Sequence, residues 1–300
     1  MNTPSLFSRL LLAFLLVATV SIANSSASTS DYLALGDDRI YYEDVGQGFP
    51  LVLVSGGSGM DLRQWDRVTP DLSESFRVIR IDPRGIGKSD NPTVRYSDTD
   101  DLVKLLDHLG LDRIGLIGLS SSGGFALEFA VQYPERLAGV VVAAPFVPGF
   151  EFSASMMERL DRINQAAEKG REPFLDRMFN DPHFFPAPLN RSVRNPAREN
   201  MGQNFDKGAD FDASLPIALE PPLIEQLPKI SAPVLLVAGE LDHPDVLRRN
   251  EFIADRIPAT EEKIISQSGH NPPQENPIAF LESINPFLQS VATTSSQTAP

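Results

Sequence analysis

Cysteine is absent from the 300-residue chain. That excludes a disulfide framework, a thiolate metal site and a cysteine nucleophile. Basic residues are scarce beside acidic ones: 26 Lys and Arg stand against 40 Asp and Glu, for a net charge of −14 and no basic cluster. Nucleic acid is thereby excluded as a partner, because neutralising phosphates needs clustered Lys and Arg. Such acidity favours solubility and says little about substrate. No internal repeat is present. Hydrophobic residues make up 42 %, ordinary for a globular protein and too few for a multi-span membrane protein.

One long apolar run exists, from Leu10 to Ile22 after the single basic residue Arg9. Small residues follow it, with Ser21-Ile22-Ala23 and Ser25-Ser26-Ala27 as cleavage sites. This is the layout of a secretory signal peptide. The run is short for a membrane span, which needs about 20 residues; an uncleaved N-terminal anchor is the alternative. Without a cysteine at the cleavage region a lipoprotein is excluded. The expectation is a leader over residues 1–27, a secreted or periplasmic mature chain, and no stable membrane association after cleavage.

From Arg39 onward strand and helix patterns alternate. Arg39–Asp44, Leu51–Val54, Arg77–Ile81, Arg113–Gly118, Leu137–Ala144, Val234–Ala238 and Glu262–Ile265 read as strands. Several are continuous apolar runs suited to burial on both faces. Helices are expected over Leu62–Ser73, Asp98–Leu109 and Phe125–Val131. Alternation of this kind predicts an α/β fold with a mostly parallel, doubly wound sheet. Between Pro148 and Ser214 the pattern breaks into helical segments such as Met156–Lys169, with many prolines and a group of phenylalanines, Phe174, Phe179, Phe184 and Phe185. The predicted organisation is a core over 28–147 and 215–289, a helical cap over 148–214 inserted between two core strands, and a disordered polar tail over 290–300.

In open sheets of this class ligands bind beyond the C-terminal strand ends, so the turns after the strands carry the functional reading. After Leu51–Val54 comes Ser55-Gly56-Gly57-Ser58-Gly59, whose glycines allow close backbone approach; the Gly-Lys-Ser/Thr ending of a phosphate loop is missing. Arg77–Ile81 is followed by the turn Asp82–Ser89, in which Asp82 and Arg84 read as braces. Arg113–Gly118 leads into Leu119-Ser120-Ser121-Ser122-Gly123-Gly124, a serine at a sharp strand-to-helix turn. There the hydroxyl projects from the backbone, and following N–H groups face a developing oxyanion. Strand and helix phase both place Ser120 at the turn, with Ser122 the fallback. Gly239-Glu240-Leu241-Asp242-His243 follows the next strand and Ser268-Gly269-His270-Asn271 the last one.

The order Ser120, Asp242, His270 is that of the α/β-hydrolase triad. The chain is identified by these motifs as resembling the α/β-hydrolase superfamily, and within it the enol-lactonase and esterase branch, over roughly Arg39 to Leu288. Gly118, Ser120 and Ser122 are similar to the family's Gly-x-Ser-x-Gly, Ser55-Gly56-Gly57 to its His-Gly-x segment, and Asp82–Ser89 to its Asp-x-Arg-Gly-x-Gly-x-Ser turn. Two positions depart: Ser55 replaces the usual His and Ser122 the usual Gly. The resemblance implies Ser120 as nucleophile, His270 as base, Asp242 as its orienting acid, and the backbone N–H groups of Gly57 and Ser121 as oxyanion donors. It implies no metal and no organic cofactor. His243 is the rival base, and Asp245 and Glu240 are the rival acids. His108 reads as helix surface, His183 as a cap turn, and Trp65 as core or pocket wall. The expected function is an exported serine hydrolase acting on a small-molecule carboxylic ester or lactone. An amide hydrolase resembling prolyl aminopeptidases and a non-catalytic binding protein on the same fold are the alternatives. Dehalogenase and epoxide hydrolase chemistry needs a carboxylate at position 120, where serine stands.

Overall fold

The computed structural model describes residues 28–56, 59–186 and 191–298. The expected leader over 1–27 and the expected donor Gly57 lie outside the described residues. The chain runs β1 (Thr29–Leu35), β2 (Asp38–Val45), β3 (Pro50–Val54), α1 (Thr69–Ser73), β4 (Arg77–Asp82), α2 (Asp98–His108), β5 (Ile114–Leu119), α3 (Ser121–Gln132) and β6 (Leu137–Ala143). It continues through α4 (Ala154–Glu168), α5 (Arg171–Phe179), α6 (Arg191–Gly208), α7 (Leu223–Gln226), β7 (Val234–Gly239), α8 (Pro244–Ala254), β8 (Thr260–Ile265), α9 (Pro272–Glu275) and α10 (Pro277–Thr298).

Among the described residues the strands form one eight-stranded sheet in the order β1-β2-β4-β3-β5-β6-β7-β8. The β1–β2 and β2–β4 pairs are antiparallel, and every pair from β4 to β8 is parallel. This is the α/β architecture expected from the alternation. Strands β5, β6 and β7 are buried along their whole length. Their apolar runs follow from burial on both faces. Side chains alternate across the sheet. Val52, Val54, Leu116, Val140 and Leu236 pack with Leu102 and Leu105 of α2, Leu127 and Phe129 of α3, and Ile253 of α8. Leu51, Leu53, Ile117, Val141 and Leu235 pack on the other face with Trp65, Leu72 of α1, and Phe280, Ile284 and Phe287 of α10. Trp65 is therefore core, and its indole N–H donates to Val54 O at 3.3 Å.

The chain leaves β3 for β4 on one side and returns to β5 on the other. The crevice at the C-terminal ends of β3 and β5 is thus a switch point, where ligands bind in such sheets. Helices α4 to α6 lie in the chain between β6 and β7. Leu175, Met178, Phe179, Phe184, Phe185, Ala197 and Met201 of this insertion bury Met60 from the loop after β3. Asn200 of α6 accepts from Asp61 N at 3.1 Å, and Asn204 accepts from Gly87 N at 2.7 Å. The insertion is thereby fastened over the β3 and β4 ends.

Three expectations need correction. The helix expected over Leu62–Ser73 is broken into a 3-10 turn at Leu62–Trp65 and α1. Pro70 has no N–H for an interior helical bond, so it serves as a helix start instead. Strand β1 lies ahead of the first expected strand; it is mostly exposed, with Leu33 its buried residue, so it carries almost no apolar signal. The tail from Ser290 is helical through Thr298 as the end of α10. Val291, 6 % exposed, continues the apolar face of that helix, and a Cβ on Gly139 of β6 would stand 2.6 Å from its Cγ1.

We predict that deleting residues 290–300 uncovers this part of the sheet. Losing one buried valine costs about 1.5 kcal/mol, which for a chain of this size lowers the thermal midpoint by roughly 2–3 °C. An unchanged melting curve would show that the last turns of α10 add no packing.

Candidate active site

Ser120 sits between β5 and α3 with φ 56° and ψ −115°. A non-glycine residue in that region costs about 1–3 kcal/mol and persists only where its surroundings hold it. They do so here. Ser120 N donates to Ala143 O at 2.8 Å, and Ser120 O accepts from Gly124 N at 3.0 Å and Phe146 N at 2.8 Å. A Cβ on Gly118 would stand 2.2 Å from Ser122 O, and one on Gly124 2.1 Å from Phe146 O. The small residues are thus required by backbone approach.

The Ser120 hydroxyl lies 3.0 Å from His270 Nε2, and His270 Nδ1 lies 2.8 Å from Asp242 Oδ2. The three residues come from the turns after β5, β7 and β8. Asp242 is buried, and its other oxygen accepts from His243 N at 2.7 Å. With Nδ1–H held by the carboxylate, Nε2 is left as the acceptor facing the serine.

The rival residues are occupied elsewhere. Ser122 is buried; its hydroxyl accepts from Leu119 N at 2.9 Å and donates to Leu119 O at 2.9 Å. A side chain is accommodated where glycine is usual because it folds back onto the end of β5. His243 caps α8, its Nδ1 accepting from Asp245 N at 3.2 Å, and burial lowers its basicity. Asp245 accepts from Ser153 N at 2.7 Å, and Glu240 from Gln267 N at 3.0 Å. His108 is on the exposed side of α2, with Tyr42 Oη 3.5 Å from its Nε2. His183 is in the turn after α5, its Nδ1 3.0 Å from Leu241 O.

Ser121 is the first residue of α3, so its N–H is among those with no intrahelical acceptor, at the positive end of the helix dipole. Its hydroxyl donates to Gly56 O at 3.1 Å, tying the elbow to the loop after β3. Ser55 donates to Asp82 Oδ1 at 2.7 Å. Asp82 also accepts from Leu62 N at 2.8 Å and Lys88 N at 3.1 Å. A short hydroxyl thus braces the loop against the β4 turn. Burial pushes the Asp82 carboxyl up to about 6. Arg84 pairs with Asp38 and with Asp101 Oδ2 at 2.6 Å, all buried. Both residues brace the turn as the sequence suggested. Burial brings Arg249 down to about 10, against the pull of Asp242 and Asp245.

Glu275 was not singled out by sequence. Its carboxyl accepts from Gly269 N and, at 2.8 Å, from Asn271 N, the two residues flanking His270. His270 N itself donates to His183 O at 2.9 Å. A buried acid five residues after a histidine is the signal in retrospect, but its backbone partners appear only in three dimensions. Burial pushes the Glu275 carboxyl up to about 8, against the two N–H bonds that favour its ionised form.

A cavity of about 560 Å³ opens beside the elbow, between Gly56 and Ser121 on one side and Phe125, Phe174 and Phe211 on the others. Its size suits a small organic ligand.

The fold and the turns after its strands define the α/β class with a serine at a strand-to-helix elbow. Residues 50–277 match the family model for the alpha/beta hydrolase fold, and the chain belongs to that family. It is 30 % identical over 237 residues, 75 % of this chain and 84 % of the other, to a Bacillus subtilis (strain 168) protein with the provisional name 2-succinyl-6-hydroxy-2,4-cyclohexadiene-1-carboxylate synthase. It is 27 % identical over 293 residues, 90 % of this chain and 99 % of the other, to the 2-hydroxy-6-oxononadienedioate/2-hydroxy-6-oxononatrienedioate hydrolase 2 of Pseudomonas putida. Among solved structures it is similar to an N-acyl homoserine lactone degrading enzyme, with TM-score 0.66, 27 % identity, and 86 % and 100 % of the two chains covered. A thermophilic esterase from Thermogutta terrifontis is similar at TM-score 0.68, 27 % identity, and 88 % and 99 % coverage.

Glu275 yields a pH prediction. The folded chain holds its proton up to about pH 8, whereas the ordinary value is 4.5. Between those limits the native state binds the extra proton, so stability falls as pH rises. Glu275→Gln removes that titration and flattens the decline of the melting midpoint between pH 5 and pH 8. It also turns an amide N–H toward one of the two backbone N–H groups, at about 1–3 kcal/mol. An unaltered slope would show that Glu275 does not hold the proton.

Proposed function

We propose that the protein is an exported serine hydrolase that cleaves a carboxylic ester or lactone through an acyl-enzyme. The observation that carries the reading is the chain of contacts from Ser120 Oγ through the His270 ring to Asp242, at 3.0 and 2.8 Å. The hydrolase, esterase and lactone-degrading relatives support the reaction class.

His270 Nε2 takes the proton as Ser120 Oγ attacks the carbonyl carbon. Asp242 fixes the tautomer and stabilises the imidazolium. The N–H of Ser121 and that of Gly57 in the loop after β3 stabilise the tetrahedral oxyanion; a single such donor is worth about 10²–10³ in rate. The imidazolium then returns its proton to the leaving alkoxide. Water repeats the cycle on the acyl-enzyme, with His270 again the base, and frees Ser120. In a lactone the leaving oxygen stays tethered to the acyl chain, so the released product is a hydroxy acid. Export rests on the Arg9 and Leu10–Ile22 layout; an intact mass beginning near Asn24 or Ser28 in protein from its native host supports it, and retention of Met1 in a membrane pellet contradicts it.

Steady-state hydrolysis of a short-chain aryl ester tests the reaction. His270→Ala and Asp242→Asn each lower kcat by several orders of magnitude, about 10⁴ for the wrong tautomer. His243→Ala changes it modestly. Circular dichroism checks that each variant folds. Loss of turnover in His243→Ala with retention in His270→Ala would overturn the assignment.

A further inference from the structure

The walls of the cavity beside the elbow are largely apolar, with Ser55, Ser121, Ser122 and Asn204 as neutral polar groups and Arg84 and Asp98 as the charged ones. Asp98, the first residue of α2, presents its carboxyl to the same space as Phe125, Phe174 and Phe211. No hydrogen-bond donor among the described residues meets that carboxyl.

Its neighbours deepen the imbalance. Arg84 is the cation beside it, and that guanidinium is already taken by Asp38 and Asp101. Asp38 is further held by Thr93 Oγ1 at 2.8 Å, and Asp101 by Lys104 Nζ at 3.2 Å on the outer side of α2. Glu128 of α3 adds a second carboxyl that repels Asp98 and has no hydrogen-bond partner of its own among the described residues. Tyr96, the remaining titratable group at the wall, stacks under Arg84 at 5.0 Å. Arg84, with Lys104 on the outer side, therefore serves Asp38 and Asp101 and leaves the Asp98 and Glu128 carboxyls without an ion pair among the described residues. A first-turn acid gains about 0.3–1 kcal/mol from the helix dipole. That is too small to offset burial, which with Asp101 and Glu128 pushes the Asp98 carboxyl up to about 7. Helix capping thus does not account for an acid at this place; Ser97 already caps α2 by accepting from Asp100 N at 3.3 Å.

We propose that Asp98, reinforced by Glu128, is a specificity residue that receives a protonated amine at the end of the substrate chain filling this cavity. The substrate class becomes an ester or lactone bearing an ammonium group remote from the scissile carbonyl. The inference rests on the hydrolase reading for its catalytic consequence, but the binding of the ammonium group does not. The apolar walls take the methylene chain, and the amine supplies the missing positive charge and the missing donors. A charge-assisted contact of this kind in an apolar cavity is among the stronger single contacts available.

The test compares 4-nitrophenyl esters of straight-chain ω-amino acids with those of alkanoic acids of matched length, at pH 8. The expected result is a kcat/KM ratio favouring the amino ester by about tenfold, reduced to near unity in Asp98→Asn and part of the way in Glu128→Gln. In the wild type the ratio also falls from pH 8 to pH 6, as Asp98 takes up its proton while the amine stays charged. Equal ratios in wild type and Asp98→Asn, or preference for the neutral ester, overturn the proposal. Calorimetric titration with hexylammonium chloride separates this from failure of the hydrolase reading. Binding that weakens about tenfold in Asp98→Asn upholds the subsite even if no ester is turned over. Binding equal in the two proteins refutes it even in an active esterase.

Discussion

The contact between the His270 imidazole and the Ser120 hydroxyl, 3.0 Å long, is made by two residues 150 positions apart in the chain. Neither flexible side chain holds that distance alone. It is held because β5, β7 and β8 belong to one sheet, with β6 between β5 and β7, and the three turns leave it along the same edge. Ser120 is kept at φ 56° by bonds to Ala143, Gly124 and Phe146. A Cβ on Gly239 would stand 2.0 Å from Gly269 O, so the Asp242 and His270 turns touch through their backbones. The cost of strain at the elbow is met by the sheet, which is why the Ser120 hydroxyl is placed without any ligand present.

The insertion between β6 and β7 belongs to this constraint. His183 O accepts the His270 N–H, and Asn271 Nδ2 donates to Phe184 O at 3.3 Å. Asn200 and Asn204 of α6 reach the loops after β3 and β4. The same segment that lines the cavity through Phe174 and Phe211 therefore also holds the His270 turn. Substitutions in the insertion reach the chemistry through these bonds as well as through substrate contact.

The core strands were legible because a strand buried on both faces is a short apolar run bounded by turn residues, as Leu51–Val54 and Val234–Ala238 are. The strand-end serine, acid and histidine were legible because turns after parallel strands share one edge of the sheet. What escaped has a physical reason in each case. Strand β1 pairs through its backbone with little side-chain burial. The last turns of α10 are rich in Ser and Thr, and one valine decides their packing. Ser55 and Ser122 read as departures, yet their hydroxyls bond Asp82 and Leu119, which spacing along a chain does not reveal. The surroundings of Glu275 and Asp98 are set by folding: two backbone N–H groups meet one, and no donor among the described residues meets the other.

The central claim is that one hydroxyl among three adjacent serines is activated. Covalent labelling with a fluorophosphonate, followed by peptide mapping, tests it most directly. The account predicts a single adduct on Ser120, lost when His270 is replaced by alanine, because the other two hydroxyls are held by Gly56 and Leu119. An adduct on Ser121 or Ser122, or no adduct on a folded protein, would contradict it.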